Sequence, residues 1–171
     1  DRDGVMRGID FLREINLGNI PEIGDKVVIV GGGNTAMDAC RSAVRAGAKE
    51  VYTLYRRTRA EMPAEQVEID EAEEEGVIFK FLCNPVEIIG ENGKVSQVKA
   101  QKMMLGEPDA SGRRSPVPIE GEFEIIDVDT VIMAIGQGVN PKGFEALEIT
   151  RKNTVTADEN TYATSVNGVF A

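Results

Sequence analysis

The sequence predicts an α/β protein built around a parallel β-sheet, and three adjacent segments carry that prediction. The β-branched run Val27 to Val30 is typical of a strand that is covered on both faces. After three glycines, small and apolar residues recur at helical spacing from Ala36 to Ala46, and Gly47 provides a helix stop. Glu50 to Leu54 has the pattern of a second strand. A helix between two strands forms a β-α-β unit, and such a crossover joins parallel strands.

The loop between the first strand and the helix has a composition that favours a bound phosphate. Gly31, Gly33 and Ala36 form the pattern G-x-G-x-x-A. In dinucleotide-binding proteins these small residues serve, in order, the tight turn, a close approach of the backbone to a pyrophosphate and the packing of the helix on the strand. A helix that begins near Asn34 directs its free N–H groups and its positive end at the same loop. The loop therefore predicts a dinucleotide site, and the alternative is an ordinary glycine turn.

The end of the second strand indicates which dinucleotide is bound. Proteins that use NAD usually carry Asp or Glu there, because a carboxylate accepts hydrogen bonds from the ribose hydroxyls. This chain has Arg56 and Arg57 instead. Guanidinium groups bind a 2′-phosphate through charge-assisted hydrogen bonds, so the pair favours NADP(H). Arg59 is a weaker third candidate that could equally be solvated, and an exposed basic turn is the alternative for the pair.

Composition restricts the partners of the chain. At 171 residues it is long enough for one sizeable domain. Acidic residues outnumber basic ones 29 to 19, and the net charge of −10 would repel nucleic acid and anionic membranes. The sequence has no apolar run long enough to span a bilayer and no signal-peptide pattern at its start. We therefore expect a cytoplasmic protein with neither nucleic acid nor membrane as a partner.

Cysteine and histidine usage excludes several kinds of chemistry. Cys40 and Cys83 are far apart and form no C-x-x-C motif, so we expect two reduced core residues and no metal site. The sequence contains no histidine, which excludes a Ser-His-Asp triad and an imidazole base. No catalytic side chain is predicted.

The flanking segments add two helices. Met6, Ile9, Leu12 and Ile15 recur at helical spacing, and we predict a short lead-in helix within residues 1–24. An acidic helix is predicted over 63–75. Its carboxylates favour a solvated face, with a docking patch for a basic partner as the alternative.

The second half of the chain predicts more strands. Asn92-Gly93 between two strand-like runs is a strong hairpin signal. Residues 106–121 are rich in proline and glycine and are expected to form turns, with Arg113 and Arg114 solvated. The predicted strands are Val77 to Leu82, Pro85 to Ile89, Val95 to Leu105, Glu122 to Ile126 and Thr130 to Ala134. The expected fold is a Rossmann-like dinucleotide-binding domain: a parallel sheet with helices on one face and a three-stranded antiparallel meander.

The last of these strands ends in small residues. If it lies beside the first strand, Ala134 and Gly136 are at the carboxyl edge of the sheet, where open α/β folds bind ligands. Small residues there would let a nicotinamide or its ribose approach the backbone. A strand that simply ends in glycine is an equal alternative.

Three motifs together resemble one family. GGGNTAMD, YRRTRAEMP and AIGQ, in this order, are similar to the NADPH-dependent small subunit of glutamate synthase and its relatives, which include dihydropyrimidine dehydrogenase, adrenodoxin reductase and ferredoxin:NADP oxidoreductase subunits. The resemblance implies an NADPH domain inserted into an FAD domain, with iron–sulfur clusters elsewhere in the full-length protein. The site residues that the resemblance and the loop pattern predict are Gly31, Gly32, Gly33, Asn34, Thr35 and Ala36 at the pyrophosphate, Arg56, Arg57 and Arg59 at the 2′-phosphate, and Ala134 and Gly136 near the nicotinamide.

The FAD fingerprint, the iron–sulfur cysteines and the terminal Gly-Asp pair of that family are missing from this sequence. The resemblance therefore implies that residues 1–24 lead in from an FAD domain and that 25–171 form the NADP(H)-binding domain. Alone, the chain would bind NADPH without turnover. Its expected partners are the FAD domain of the same parent chain and a large catalytic subunit.

Other functions use the same loop and arginines. A ferredoxin:NADP oxidoreductase or sulfide dehydrogenase-type subunit is one alternative, and a non-catalytic NADPH-sensing module is another. A short-chain dehydrogenase is set aside, because Tyr52, Tyr55 and Tyr162 all lack the lysine four residues later that its Tyr-x-x-x-Lys pair requires.

Overall fold

A computed structural model describes residues 3–110, 112, 114–136 and 138–171 of the chain. Residues up to Ile135 form one compact unit, and Gly136–Ala171 form a second. The elements of the first unit, in chain order, are β1 (Val5–Arg7), α1 (Gly8–Asn16), β2 (Lys26–Val30), α2 (Asn34–Arg45), β3 (Glu50–Tyr55), a 3₁₀ helix (Arg59–Glu61), α3 (Gln66–Glu74), β4 (Ile78–Phe81), β5 (Cys83–Glu91), β6 (Lys94–Pro108), β7 (Arg114–Asp127) and β8 (Thr130–Met133).

Five parallel strands form the main sheet, in the order β1-β8-β2-β3-β4. The predicted β-α-β unit is β2-α2-β3, and β8 lies directly beside β2 as expected. The predicted α/β class is therefore confirmed. Because all these strands run the same way, the ends of β2, β3 and β8 meet at one edge of the sheet.

The two faces of the sheet are covered by different layers, which explains the continuous apolar run of β2. Val27 and Ile29 are buried with the helices, in a core that contains Phe11, Met37 and Ile69. The alternate residues of β2, together with residues of β3 and β8, are buried with the meander. Helices on one face and a meander on the other agree with the predicted arrangement. Since both faces are covered, neither set of β2 side chains meets water.

The antiparallel sheet has the order β5-β6-β7 and is larger than the sequence predicts. Its first turn is the predicted one, with Asn92 and Gly93 both at positive φ. The expectation of turns over 106–121 is wrong, because β6 continues to Pro108 and β7 occupies Arg114–Asp127. Pro116 and Pro118 are tolerated because β7 is an edge strand, where a missing N–H leaves no neighbour unpaired.

The N-terminal segment is part of the sheet. Val5–Arg7 form β1, which pairs in parallel with β8, and α1 then packs against α2. Residues 3–24 belong to the same unit as the glycine loop. That they lead in from an FAD domain stays a prediction. The helical spacing that starts at Met6 hides the strand, because Met6 itself belongs to β1.

The second unit contains neither a helix nor a strand among its described residues. It consists of turns joined by the isolated bridges Ile149↔Val155, Ala157↔Thr164 and Ala163↔Phe170. Across the described parts of both units, every helix is too short or too polar to span a bilayer.

The acidic helix α3 uses its carboxylates within the domain. Arg41 of α2 lies 3.0, 2.6 and 2.7 Å from carboxylate oxygens of Glu68, Glu71 and Glu75. Arg45 also binds Glu75 at 2.6 Å, and these arginine hydrogen bonds hold the pKa of the Glu75 carboxyl below its usual range. These contacts fasten α3 to α2. The acidic run is therefore neither a purely solvated face nor an unoccupied docking patch.

Two side chains fasten the start of β8 to the segment that enters β2. The carboxylate of Asp129 accepts hydrogen bonds from the amides of Asp25 and Lys26, at 2.9 and 2.8 Å. The buried hydroxyl of Thr130 donates to the carbonyl of Ile23 at 2.8 Å. Thr130 thus satisfies a carbonyl in a place that water reaches poorly.

We predict that Thr130→Val lowers the free energy of unfolding by about 1 to 2 kcal/mol, because it keeps the side-chain shape but leaves the Ile23 carbonyl without its donor. Urea unfolding followed by circular dichroism measures the change. Thr156→Val, at a half-exposed threonine of the second unit, is the matched control. Equal unfolding curves for the Thr130→Val variant and the parent would contradict the assignment.

Candidate functional site

The first glycine of the loop sets the spacing of three elements. Gly31 has φ +149°, and a Cβ at this position would lie 2.5 Å from the carbonyl oxygen of Ala134. The same Cβ would lie 3.3 Å from Cβ of Ala36. Any larger residue at Gly31 would therefore push β2, α2 and β8 apart. The predicted roles of Gly31 in the turn and of Ala36 in helix packing agree with this geometry.

The second glycine packs under an aromatic ring, which the sequence analysis did not foresee. A Cβ at Gly32 would lie 2.5 Å from Cδ2 of Tyr55. The Tyr55 hydroxyl donates to the carbonyl of Glu61 at 2.6 Å, so the ring is fixed at both ends. The G-x-G-x-x-A pattern allows any residue at position 32. Here the ring of Tyr55 on β3 leaves no space for a side chain at that position.

The third glycine leaves open space beside the N-terminus of α2. The nearest atom to a Cβ at Gly33 would be Cγ of Pro63, 3.9 Å away. Gly33 is the N-cap residue with φ −94°, and within the described chain no side chain caps this helix. Uncapped N–H groups and the positive helix end favour an anion in that space.

Asn34 and Thr35 lie at the exposed first turn of α2. The Asn34 side-chain oxygen accepts a hydrogen bond from the amide of Glu65 at 2.9 Å. The amide of Ala64 donates to the Gly32 carbonyl at 3.1 Å. Residues 56–58, which we call the arginine loop, join β3 to the 3₁₀ helix. The segment after this loop is attached to the glycine loop, in part through the Asn34 side chain. The contact of Asn34 with the pyrophosphate stays a prediction, and the backbone N–H of Asn34 is the group that would make it.

The three candidate arginines have three different environments. Arg56 is exposed, whereas Arg57 is buried, with 7% of its surface accessible. Arg59 forms ion pairs with Asp70 and with Glu73 of α3, the latter at 3.0 Å. Its charge is therefore already paired, which favours a structural role over the predicted phosphate contact.

Arg57 is buried without a carboxylate partner in the described part of the chain. Its Nε donates to the carbonyl oxygen of Arg114 at 3.0 Å, and its own carbonyl accepts from the amide of Leu82 at 3.0 Å. A buried charge is costly unless an opposite charge meets it. The arrangement fits an anion that arrives from outside the chain.

Arg114 is a second residue beside the candidate site, after Tyr55, for which the sequence predicted no role. The residue is exposed, which agrees with the prediction that it is solvated, but its carbonyl accepts a hydrogen bond from Arg57, and its guanidinium donates to the carbonyls of Leu105 and Gly106. No local signal could reveal this contact, because 57 residues separate the two partners. Arg113, the other arginine of that prediction, lies outside the described residues.

Ala134 and Gly136 fall in different units. The amide of Ala134 donates to the carbonyl of Val30 at 2.8 Å, which continues the pairing of β8 beyond its last residue. Gly136 opens the second unit, and a Cβ there would have no heavy atom within 4 Å. Gln137 of the AIGQ motif lies outside the described residues.

The two cysteines are structural. Both are free and buried, and burial raises the pKa of the Cys40 thiol to about 12 and that of Cys83 to about 11. A thiol with so high a pKa is protonated at neutral pH and is a poor nucleophile. Among the described residues no cluster of carboxylates and thiols could hold a metal ion. The arrangement is suited to binding an anionic ligand.

Sequence comparison finds relatives that are far longer than this chain. It is 48% identical over 170 residues to the NADP(+)-dependent formate dehydrogenase subunit beta of Moorella thermoacetica, covering 98% of this chain and 24% of that protein. It is 50% identical to the NADPH-Fe(3+) oxidoreductase subunit beta of Geobacter sulfurreducens, covering 86% and 23%. It is 42% identical to the glutamate synthase [NADPH] small chain of Escherichia coli, and the match covers 100% of this chain and 40% of that protein.

Solved structures share the fold at lower identity. Thioredoxin reductase of T. acidophilum superposes with a TM-score of 0.72 at 20% identity, covering 98% of this chain and 48% of that one. Mycobacterium tuberculosis FprA in complex with NADPH gives 0.69 at 20% identity, covering 88% and 48%. The sequence profile of pyridine nucleotide-disulphide oxidoreductases matches residues 2–171. The chain therefore belongs to the pyridine nucleotide-disulphide oxidoreductase family.

Proposed function

We propose that this chain is the NADP(H)-binding part of a flavoprotein oxidoreductase related to the small subunit of glutamate synthase. The observation that carries the proposal is Arg57, a buried guanidinium with no carboxylate partner among the described residues, directly after the strand that packs Tyr55 on the glycine loop. NAD-binding proteins usually place a carboxylate at this strand end. An arginine that needs an anion fits the 2′-phosphate of NADP(H) instead.

The residues fit the two phosphate groups of this cofactor separately. The open space at Gly33 and the uncapped first turn of α2 would receive the pyrophosphate. Arg57, with exposed Arg56 beside it, would bind the 2′-phosphate. Asn34 would contribute by fastening the segment after the arginines to the glycine loop.

The bound cofactor would supply a hydride, and this chain would bind and orient the cofactor. No acid or base is required from the chain for such a transfer. The absence of histidine from the sequence and the buried thiols are consistent with that division of labour. The resemblance to the small subunit of glutamate synthase implies that the acceptor would be a flavin held elsewhere in the parent protein.

The rest of the electron route is a proposal from relatedness. The chain spans about a quarter to two fifths of the three relatives compared above, two of which are named as beta subunits and one as a small chain. We propose that an FAD domain of the same parent chain receives the hydride and that iron–sulfur clusters pass electrons to a partner subunit. Ala134 and Gly136 would let the nicotinamide end approach the backbone, and the parent protein would act in the cytoplasm.

We predict that Gly33→Val abolishes NADPH binding while the fold survives. The branched side chain would occupy the space proposed for the pyrophosphate, yet a Cβ there meets no atom closer than 3.9 Å. Isothermal titration calorimetry measures binding, and thermal unfolding measures the fold. Gly33→Ala is the graded control and should weaken binding less. A valine variant that binds NADPH as tightly as the parent would show that the pyrophosphate lies elsewhere.

We predict that Arg57→Ala weakens NADPH binding by roughly ten- to a hundredfold, because a charge-assisted hydrogen bond is worth about 1.5 to 3 kcal/mol. Arg56→Ala should lose less, since Arg56 is exposed and solvent screens its charge. The double variant should lose roughly two to four decades. NADH binding should barely change.

The arginine titrations are run at one fixed salt concentration. Arg13→Ala, at an exposed arginine in the last turn of α1, is the matched control for the lost charge. Equal losses for NADPH and NADH in the double variant would show that the two arginines support the loop, and the choice of NADP(H) would then be withdrawn.

A further inference from the structure

The long hairpin formed by β6 and β7 reaches the arginine loop at two points. At the first, Nε of Arg57 donates to the carbonyl oxygen of Arg114, the first residue of β7. At the second, the amide of Leu82 donates to the Arg57 carbonyl, and the amide of Met103 on β6 donates to the Leu82 carbonyl at 2.8 Å. Both the side chain and the main chain of Arg57 are therefore tied to this hairpin.

The carbonyl that holds Arg57 is itself braced. The Arg114 guanidinium reaches back across the hairpin and donates from Nε to the Gly106 carbonyl at 2.9 Å and from Nη2 to the Leu105 carbonyl at 3.3 Å. The strand register shifts between Leu105 and Pro108, at the same place. These bonds fix the start of β7 where the regular ladder is interrupted.

Gly106 makes this brace possible. A Cβ at Gly106 would lie 3.1 Å from Cγ2 of Val117 and 3.4 Å from the carbonyl oxygen of Ser115. The two strands thus approach each other closely beside the irregularity. The guanidinium of Arg114 can then reach carbonyls of β6 while its own carbonyl faces Arg57.

The hydrogen bond from Nε of Arg57 to the Arg114 carbonyl orients the guanidinium and leaves its other nitrogens available. A group held through Nε keeps its two Nη nitrogens for a ligand, and a planar fork that is already oriented loses little freedom when it binds a phosphate. A lysine at position 57 could not be anchored in this way and bind a phosphate with other nitrogens, because its side chain has a single nitrogen.

We propose that the β6–β7 hairpin is a selectivity element of the nucleotide site, in which Arg114 is a positioning residue that orients Arg57 toward the 2′-phosphate. The inference rests on the proposed function, since it needs Arg57 to bind that phosphate. The proposal gives a segment outside the β-α-β unit a part in the selection between NADP(H) and NAD(H). The chemical group that this device recognises is a phosphomonoester on the adenosine ribose.

A double-mutant cycle on Arg57 and Arg114 tests the proposal. The probes are adenosine 2′,5′-bisphosphate and 5′-ADP, isomers that carry their second phosphate on the 2′-oxygen and on the 5′-phosphate respectively, and neither probe needs a nicotinamide contact. Arg114→Ala should weaken the bisphosphate about fivefold, the factor that corresponds to about 1 kcal/mol of hydrogen-bond stabilisation. It should leave 5′-ADP unchanged. In the Arg57→Ala background the same substitution should cause no further loss.

Two conservative variants complete the experiment. Arg114→Lys should recover part of the loss, because an ammonium can still donate to one of the two hairpin carbonyls. Arg57→Lys keeps the positive charge but loses the Nε anchor, and it should weaken the bisphosphate more than 5′-ADP. This second variant leaves the hairpin sequence intact and gives the same test if Arg114→Ala does not fold.

Each contrary outcome has one meaning. Additive losses in the cycle would show that Arg114 acts as an independent charge, and equal losses for both probes would show a general structural role. An unchanged bisphosphate affinity in Arg114→Ala would show that the brace is unnecessary. Each of these overturns the inference and leaves the proposed function standing. If Arg57→Ala binds the bisphosphate as the parent does, the proposed function fails as well.

Discussion

The contact between the Gly31 position and the Ala134 carbonyl is the constraint on which the candidate site depends. The oxygen of Ala134 lies 2.5 Å from the place that a Cβ of Gly31 would occupy, and Cβ of Ala36 closes the same space from the helix side. Because only small residues lie between the three elements, the carboxyl ends of β2 and β8 and the N-terminus of α2 meet at one edge within reach of a single ligand. A larger residue would separate the helix N-terminus from the strand ends, and the anion-binding geometry would be lost.

Tyr55 connects this edge to the charges that would select the ligand. Its ring covers Gly32, and its hydroxyl holds the carbonyl of Glu61, so the arginine loop leaves β3 in a fixed direction. Thr58 and Glu61 then form a capping box around the following 3₁₀ helix, and the hydrogen bonds from Thr58 hold the pKa of the Glu61 carboxyl below its usual range. The loop that carries Arg57 is thus rigid because of neutral and capping contacts, and it does not depend on a carboxylate pairing with Arg57.

Local patterns in the sequence predicted the part of the fold that local interactions determine. The β2-α2-β3 unit and the Asn92-Gly93 turn follow from short-range signals, and the structure agrees with them. The errors arise where partners are distant in sequence. β1 is a strand only because β8 offers it an edge, and β7 continues through two prolines only because it has no outer neighbour. The Arg57–Arg114 contact is invisible for the same reason, whereas the glycine loop could be identified because its residues are adjacent.

The acidic composition of the chain explains which arginines remain for a phosphate. The carboxylates of α3 and its C-cap lie against Arg41, Arg45 and Arg59, so these cations are neutralised within the fold. Arg56 and Arg57 take part in no ion pair among the described residues. A chain with a net charge of −10 would repel a dinucleotide phosphate at long range, yet a desolvated guanidinium acts at close range, where solvent screens it little. Selection by such a site therefore depends on which arginines the protein leaves unpaired and on how firmly it orients them, and its overall charge has little influence.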